Sequence, residues 1–369
     1  MSALIIFALL TVLMLSGMPV SISLGLTVLT FLFAFTATPL EAVALKLFTG
    51  IEKFEIMAIP FFILAGNFLT HGGVAKRMIY FATSMVGHLR GGLGLSAVFA
   101  CALFAAVSGS SPATVVAIGS ILLPAMVRAG YPKKFGVGVI ASSGGLGILI
   151  PPSIVMVMYA VSTNSSIGAL FMAGVVPGLL LAFMLGFCTW WVAHKGNYPR
   201  EQPMSWAQRW EAFRKAIWGL LLIVVVMGGI YSGLFTPTEA AAMSAVYAFF
   251  IAVFVYKDIG LKDVPRVLLN SANMSAMLLY IITNAVLFSF ILTNEQIPQS
   301  IAEWLTHSGV GVIGFLIAVN ILLLVMGSFM EPSSIILITA PILFPIAMKL
   351  GIDPVHFGIM MTVNLEIGY

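Results

Sequence analysis

The sequence predicts an all-α polytopic membrane protein built from two repeats, each with a re-entrant helical hairpin and a broken helix. Three observations predict it. Of 369 residues, 60% are hydrophobic and 8% charged, where a soluble domain carries about 25% charge. Apolar runs long enough to cross a bilayer alternate with runs of about half that length. The two parts of the chain also share Gly, Pro and Phe punctuation at matching places. A polar shell around a soluble core of this size needs far more charge. That composition excludes an ordinary soluble enzyme, a nucleic-acid binder and a disordered chain.

Mean hydropathy is +1.10 and the pI about 9.1. The net charge of +4 comes from basic residues in short loops between apolar runs, the positive-inside bias of a membrane protein. Cys101 and Cys188 both sit inside apolar runs, where isolated cysteines act as small hydrophobes. The first basic residue is Lys46. The apolar run over residues 4–35 is therefore not a signal peptide, which needs a basic start and a short core. It reads as two short tilted segments broken at Gly17-Met18-Pro19, with the N-terminus outside the cytoplasm. Further spans are expected over residues 54–69, 168–193, 216–235, 239–256 and 275–292.

The chain divides into a first repeat region (1–193), a polar basic connector (194–215) and a second repeat region (216–369). The connector carries Lys195, Arg200, Arg209, Arg214 and Lys215 with Trp206 and Trp210 interleaved, the pattern of an interfacial amphipathic helix. In the first region a hairpin is expected over 93–127 and a broken helix over 135–161. In the second a hairpin is expected over 311–348. The hairpin arms are each about 15 residues, too short to cross alone, and small polar Pro-containing tips join them.

The repeat is visible in the punctuation. The run from Pro112 to Pro124 lies against that from Pro332 to Pro345, Gly130-Tyr131-Pro132 against Gly351-Ile352-Asp353-Pro354, and Phe135-Gly136 against Phe357-Gly358. Repeated apolar segments broken by Gly and Pro at corresponding places point to a secondary transporter and its binding site. A broken helix leaves orphan N–H groups at one new end and orphan C=O groups at the other. The carbonyls can coordinate a bare cation such as Na⁺, and the amides can hold a carboxylate.

The candidate site residues follow. The first tip offers Ser108, Gly109, Ser110, Ser111, Pro112 and Thr114, rich in hard oxygen donors. Its expected partner is the break at Gly145, Gly147, Pro151, Pro152 and Ser153, where successive prolines remove donors. A sodium ion between Ser108, Ser110, Ser111 and Gly145 is the sharp expectation. The plain alternative is that the serines only pack the hairpin against a neighbour. The second tip offers Gly327, Glu331, Pro332, Ser333 and Ser334. Glu331 is an acid in a membrane segment, hence a functional candidate, or a cap for the helix that follows it. Asn67, Asn273, Asn284, Asn294 and Asn320 are expected to make interhelical hydrogen bonds. His71, His88, His194, His307 and His356 make no metal-ligand spacing, and no nucleophile elbow or Walker sequence occurs. The chain is not expected to be an enzyme or to carry a cofactor.

Several runs resemble the large membrane subunit of the TRAP (tripartite ATP-independent periplasmic) transporters. They are Ser-Gly-Ser-Ser-Pro-Ala-Thr-Val from Ser108, Gly-Ile-Leu-Ile-Pro-Pro-Ser-Ile from Gly147 and Phe-Thr-Pro-Thr-Glu-Ala-Ala-Ala from Phe235. Glu-Gln-Ile-Pro-Gln-Ser-Ile-Ala from Glu295 and Phe-Met-Glu-Pro-Ser from Phe329 resemble its four-carbon dicarboxylate branch. The resemblance covers essentially the whole chain. It implies two inverted repeats in an elevator-type ion-transporter fold in the bacterial inner membrane. It also implies Na⁺-coupled import of succinate, fumarate or malate. The partners it implies are a periplasmic substrate-binding protein and a small four-helix membrane subunit, with no nucleic acid. Another organic acid, such as a sugar acid or sialic acid, is the alternative substrate, and a passive channel the alternative class. In the family a second Thr-Pro-Pro-Val-Gly run follows the position of Gly368. Asn364 aligns with Ser142, so the repeat places that run just beyond Tyr369. The chain is therefore expected to be a fragment truncated at the C-terminus.

Overall fold

In a computed structural model, residues 2–36, 39–307, 311–328 and 330–368 are described. They are helical, with no strand among them. Seven helices are long and apolar enough to cross a membrane, or eight spans if one bent pair counts as a span. The chain packs as two compact units, and neither follows the sequence halves.

One unit comprises Ala58–Met156 and Ile167–Ala272. Its first helices, numbered as in the whole chain, are α4 (Ala58–His71), α5 (Val74–Val86), α6 (Gly92–Ser108) and α7 (Ser111–Arg128). Then come α8 (Lys133–Gly144), α9 (Leu146–Leu149) and the start of α10 (Ile154–Thr163), followed by α11 (Ile167–Lys195), α12 (Trp206–Tyr231), α13 (Pro237–Phe250) and the start of α14 (Val264–Asn294). The expected hairpin is α6 and α7, and the expected broken helix is α8, α9 and α10, bent by 40°. The α7 arm runs 18 residues, longer than the sequence suggests. Pro at the helix start is tolerated there, and Pro124 lies inside the helix without ending it.

The second half of the connector is helical and runs on without a break into the next span. Trp206 to Lys215 form the first turns of the 26-residue α12. A capping box starts that helix, with the Ser205 hydroxyl accepting from the Gln208 N–H and the Gln208 side chain accepting from the Ser205 N–H. No proline interrupts the run that follows, so the polar turns and the apolar span continue as one helix. A second box, Thr236 with Glu239, starts α13 at the predicted turn. Along α11, Val176, Leu180, Phe183 and Phe187 are exposed at helical spacing. Such a stripe marks a face turned to lipid or to an apolar partner.

The other unit comprises Met1–Met57, Val157–Ser166 and Asn273–Tyr369. It holds α1 (Ser2–Leu15), α2 (Val20–Phe35) and α3 (Leu40–Thr49), the ends of α10 and α14, then α15 (Ile297–His307), α16 (Val312–Gly327), α17 (Pro332–Lys349) and α18 (Pro354–Gly368). The break between α1 and α2 falls at Gly17, whose φ is +84°. Only glycine adopts that conformation without strain. The second hairpin is α16 and α17. Its join includes Phe329, which lies outside the described residues, as does Tyr369. The α17 arm also runs 18 residues, through Pro341 and Pro345. Tyr159 on α10 donates its hydroxyl to the Pro354 carbonyl at 2.7 Å, tying the start of α18 in place.

Candidate functional site

The first hairpin tip and the break in α8–α10 meet. Helix α6 ends at Ser108, and Gly109 at φ +62° turns the chain into α7. The Ile154 N–H donates to the Gly109 carbonyl at 3.2 Å. A Cβ on Gly109 would lie 2.7 Å from the Pro152 oxygen. A Cβ on Gly147 would lie 2.7–2.8 Å from the backbone of Ser110 and Ser111. Both glycines are therefore needed for the two backbones to approach. Gly66 on α4 faces the same turn from below, where a Cβ would lie 3.3 Å from the Ser108 oxygen.

The hydroxyls knit the tip together. Ser108 and Thr114 share a hydrogen bond at 3.0 Å, and the Thr114 hydroxyl donates to the Ser110 carbonyl at 2.8 Å. Ser111 donates to the Gly145 carbonyl at 3.1 Å, which also accepts the Ile148 N–H at 3.0 Å. Ser153 donates to the Ile148 carbonyl at 2.5 Å. The Pro151–Pro152 peptide is cis. Ser108, Ser111, Thr114 and Ser153 are buried. Ser110 occupies the N-cap position of α7, yet its side chain makes no capping bond. Pro112 is exposed in the first turn of α7, away from the contact. Apart from Pro112, the predicted first-tip and break residues thus lie together as a cluster of largely buried hydroxyls and backbone carbonyls, all of them hard oxygens.

At the second tip Glu331 is a cap. It is exposed and sits at the N-cap of α17, where its carboxylate accepts from the Ser333 hydroxyl at 2.6 Å and the Ser334 N–H at 3.1 Å. Both partners are buried. Gly327 closes α16, and a Cβ on Gly368 would lie 3.0 Å from the Gly327 Cα. The end of α18 thus packs on this hairpin. Glu331→Ala should lower stability by about 1 kcal/mol through loss of the cap. Glu331→Gln, which keeps an acceptor, should lose less. Thermal unfolding in detergent of both variants checks this, and equal losses would remove the cap from the account.

The sequence reading misses one acid. Glu366 on α18 is 7% exposed, and its Oε2 has no hydrogen-bond partner among the described residues. Its signal was an acid within the apolar run 357–368. The asparagines divide. Asn67 does reach another helix, donating to Ser271 at 2.8 Å. Asn284 donates to the Tyr280 carbonyl of its own helix. Asn320 donates to its own Leu316 carbonyl, with only a weak sulfur contact to Met360. No group of three metal-ligating His, Cys, Asp or Glu residues occurs among the described residues.

Membrane-length apolar helices around a hairpin tip seated on a broken helix define a polytopic transporter permease. A family model described as the DctM component of the tripartite ATP-independent periplasmic transporters matches residues 7–369. The C4-dicarboxylate TRAP transporter large permease protein DctM of Rhodobacter capsulatus is 72% identical, over 100% of this chain and 87% of its own length. Its namesake from Pseudomonas aeruginosa is 56% identical, over 94% of this chain and 81% of its own. The solved structure of the Alcanivorax borkumensis YdaH transporter aligns over 90% of this chain and 77% of its own, with a TM-score of 0.60. At 14% identity that is a likeness of fold alone. The chain belongs to the DctM family of TRAP transporter permeases. It is an integral inner-membrane protein and not an enzyme.

Proposed function

We propose that this chain is the large permease subunit of a sodium-coupled TRAP importer of C4-dicarboxylates such as succinate, fumarate and malate. The observation that carries the coupling is the seating of Ser108–Thr114 against Gly145–Ser153, which gathers hydroxyl and carbonyl oxygens in one buried place. Such oxygens match a small hard cation. In this reading Na⁺ takes the place of these hydrogen bonds: the Ser111 hydroxyl keeps its proton but turns it away from the Gly145 carbonyl, so that both oxygens face the ion. The substrate class is supported by relatives named for C4-dicarboxylates at 72%, 56% and 49% identity. The relative named for sialic acid stands at 37%.

The partners in this proposal are a periplasmic binding protein that delivers the dicarboxylate and a small four-helix membrane subunit. The two hairpins, the first with the break it faces, form inverted repeats that carry ion and substrate past a scaffold in an elevator motion. Crosslinks that fix the hairpins without slowing uptake would overturn the motion.

The test is uptake of labelled succinate by proteoliposomes holding the permease and the small subunit, with the binding protein outside. Uptake is expected only with both an inward sodium gradient and the binding protein. Uptake without the gradient would overturn the coupling, and uptake without the binding protein would point to a channel. A binding protein that takes a sugar acid and ignores succinate would replace the substrate alone.

A further inference from the structure

The unit that holds α3 and α17 contains a cavity of about 210 Å³, distinct from both hairpin tips. It is smaller than the roughly 300–1,000 Å³ of drug-sized ligand sites, a size suited to a small ion. Two lysines line it, Lys46 and Lys53, and no acid does. The hydroxyl residues Thr49, Ser162 and Ser289 supply further polar groups, and Ile282, Leu337 and Pro341 among others supply an apolar wall.

The Lys53 ammonium is held in place, and that of Lys46 is on an exposed side chain. Lys53 Nζ donates to the Val161 carbonyl and to Asn164 Oδ1, both at 2.6 Å. Val161 lies in the last turn of α10, where a cation complements the helix dipole. An ammonium has three donors, so one N–H of Lys53 remains for a ligand. Lys46 Nζ lies 5.4 Å from the centre of the Phe290 ring. Gly50 lies between the two lysines in sequence, and a Cβ there would come 2.8 Å from Val286 Cγ1. The chain can therefore lie close against α14 and turn both lysines to one space.

Capping α10 explains Lys53 but not Lys46. Lys46 adds a second ammonium to the lining of the same cavity, and an anion between the two offsets their repulsion. Burial also pushes the Lys53 ammonium below its ordinary pKa, against the field of nearby Glu55. A bound anion offsets that penalty.

We propose that this cavity seats a small oxyanion, a carboxylate or phosphate group held between Lys46 and Lys53. Two sources present that chemistry, a short organic dicarboxylate and the phosphate of a phospholipid headgroup. The seat uses neither hairpin tip and does not rest on the transport reading.

The test is lysine reductive methylation of the full chain in nanodiscs, read site by site by mass spectrometry at fixed ionic strength. In phosphatidylcholine discs, succinate should slow labelling of Lys46 and Lys53 at least threefold and saturably, while uncharged succinamide should not. Exposed Lys76 and Lys134 should label unchanged. In discs containing phosphatidylglycerol without succinate, the same protection would assign the seat to a lipid headgroup. Protection in either arm supports the oxyanion seat and names its source. Unchanged labelling in both arms overturns it. So does equal protection of Lys76 and Lys134, which is bulk screening. Lys53→Gln should abolish protection at Lys46. Should that variant fail to fold, the wild-type arms still decide.

Discussion

Gly109→Ala should lower succinate uptake at least tenfold, with the protein still inserted and monodisperse. Two costs add at this position. The left-handed φ of +62° costs a residue with a Cβ about 1–2 kcal/mol. The new methyl would also lie 2.7 Å from the Pro152 oxygen, a backbone atom of the break that cannot swing aside. Tenfold corresponds to about 1.4 kcal/mol, less than the two costs together. Gly147→Ala separates them. Gly147 lies in the helical turn α9, where alanine is favoured over glycine by up to about 1 kcal/mol. Its only penalty is close approach to the Ser110 and Ser111 backbone. Initial uptake rates normalised to reconstituted protein should fall in both variants. Wild-type uptake in Gly147→Ala would remove the seating of tip on break from the mechanism.

Ser110→Ala should raise the sodium concentration for half-maximal uptake roughly tenfold while leaving the unfolding temperature unchanged. Serine at an N-cap ordinarily contributes about 1 kcal/mol through its hydroxyl. Here the Ser110 side chain makes no capping bond, so its removal costs the helix little. An effect on sodium without an effect on stability belongs to a ligand. Ser111→Ala should show both effects, because its buried hydroxyl also holds the Gly145 carbonyl. Losing a buried hydrogen bond costs about 1–3 kcal/mol. Uptake measured against sodium, beside thermal unfolding, checks the pair. Unchanged sodium dependence in both variants would place the ion elsewhere.

Much of this architecture is legible in the sequence because lipid enforces simple rules. Backbone polar groups in a bilayer must pair within their own segment. Long apolar runs are therefore helices, and Gly-Pro interruptions mark their breaks. The hairpin α6–α7 and the break after Gly144 follow from that alone. The continuity of the connector with the next span is not legible, for an equally plain reason. Charge and tryptophan mark where a segment sits, but not whether the helix stops there. Ser205 starts α12 and nothing after it ends the helix before Tyr231.

The role of Glu331 illustrates the limit. Its position before Ser333 and Ser334 fits both a functional acid and a cap, and the bonds to Ser333 and Ser334 make it a cap. Glu366 carries the opposite lesson, since the burial of its Oε2 without a hydrogen-bond partner among the described residues becomes visible only once α18 is packed. The cavity of Lys46 and Lys53 is also invisible in one dimension, because its walls come from segments more than two hundred residues apart. By itself the sequence determined the membrane solvent through its composition and the helical hairpins and first break through their Gly and Pro punctuation, while its motifs carried the resemblance to the family. Only the tertiary structure decided which oxygen faces which carbonyl and which charges share a cavity. Those depend on long-range backbone approach, which in this chain is permitted at single glycines.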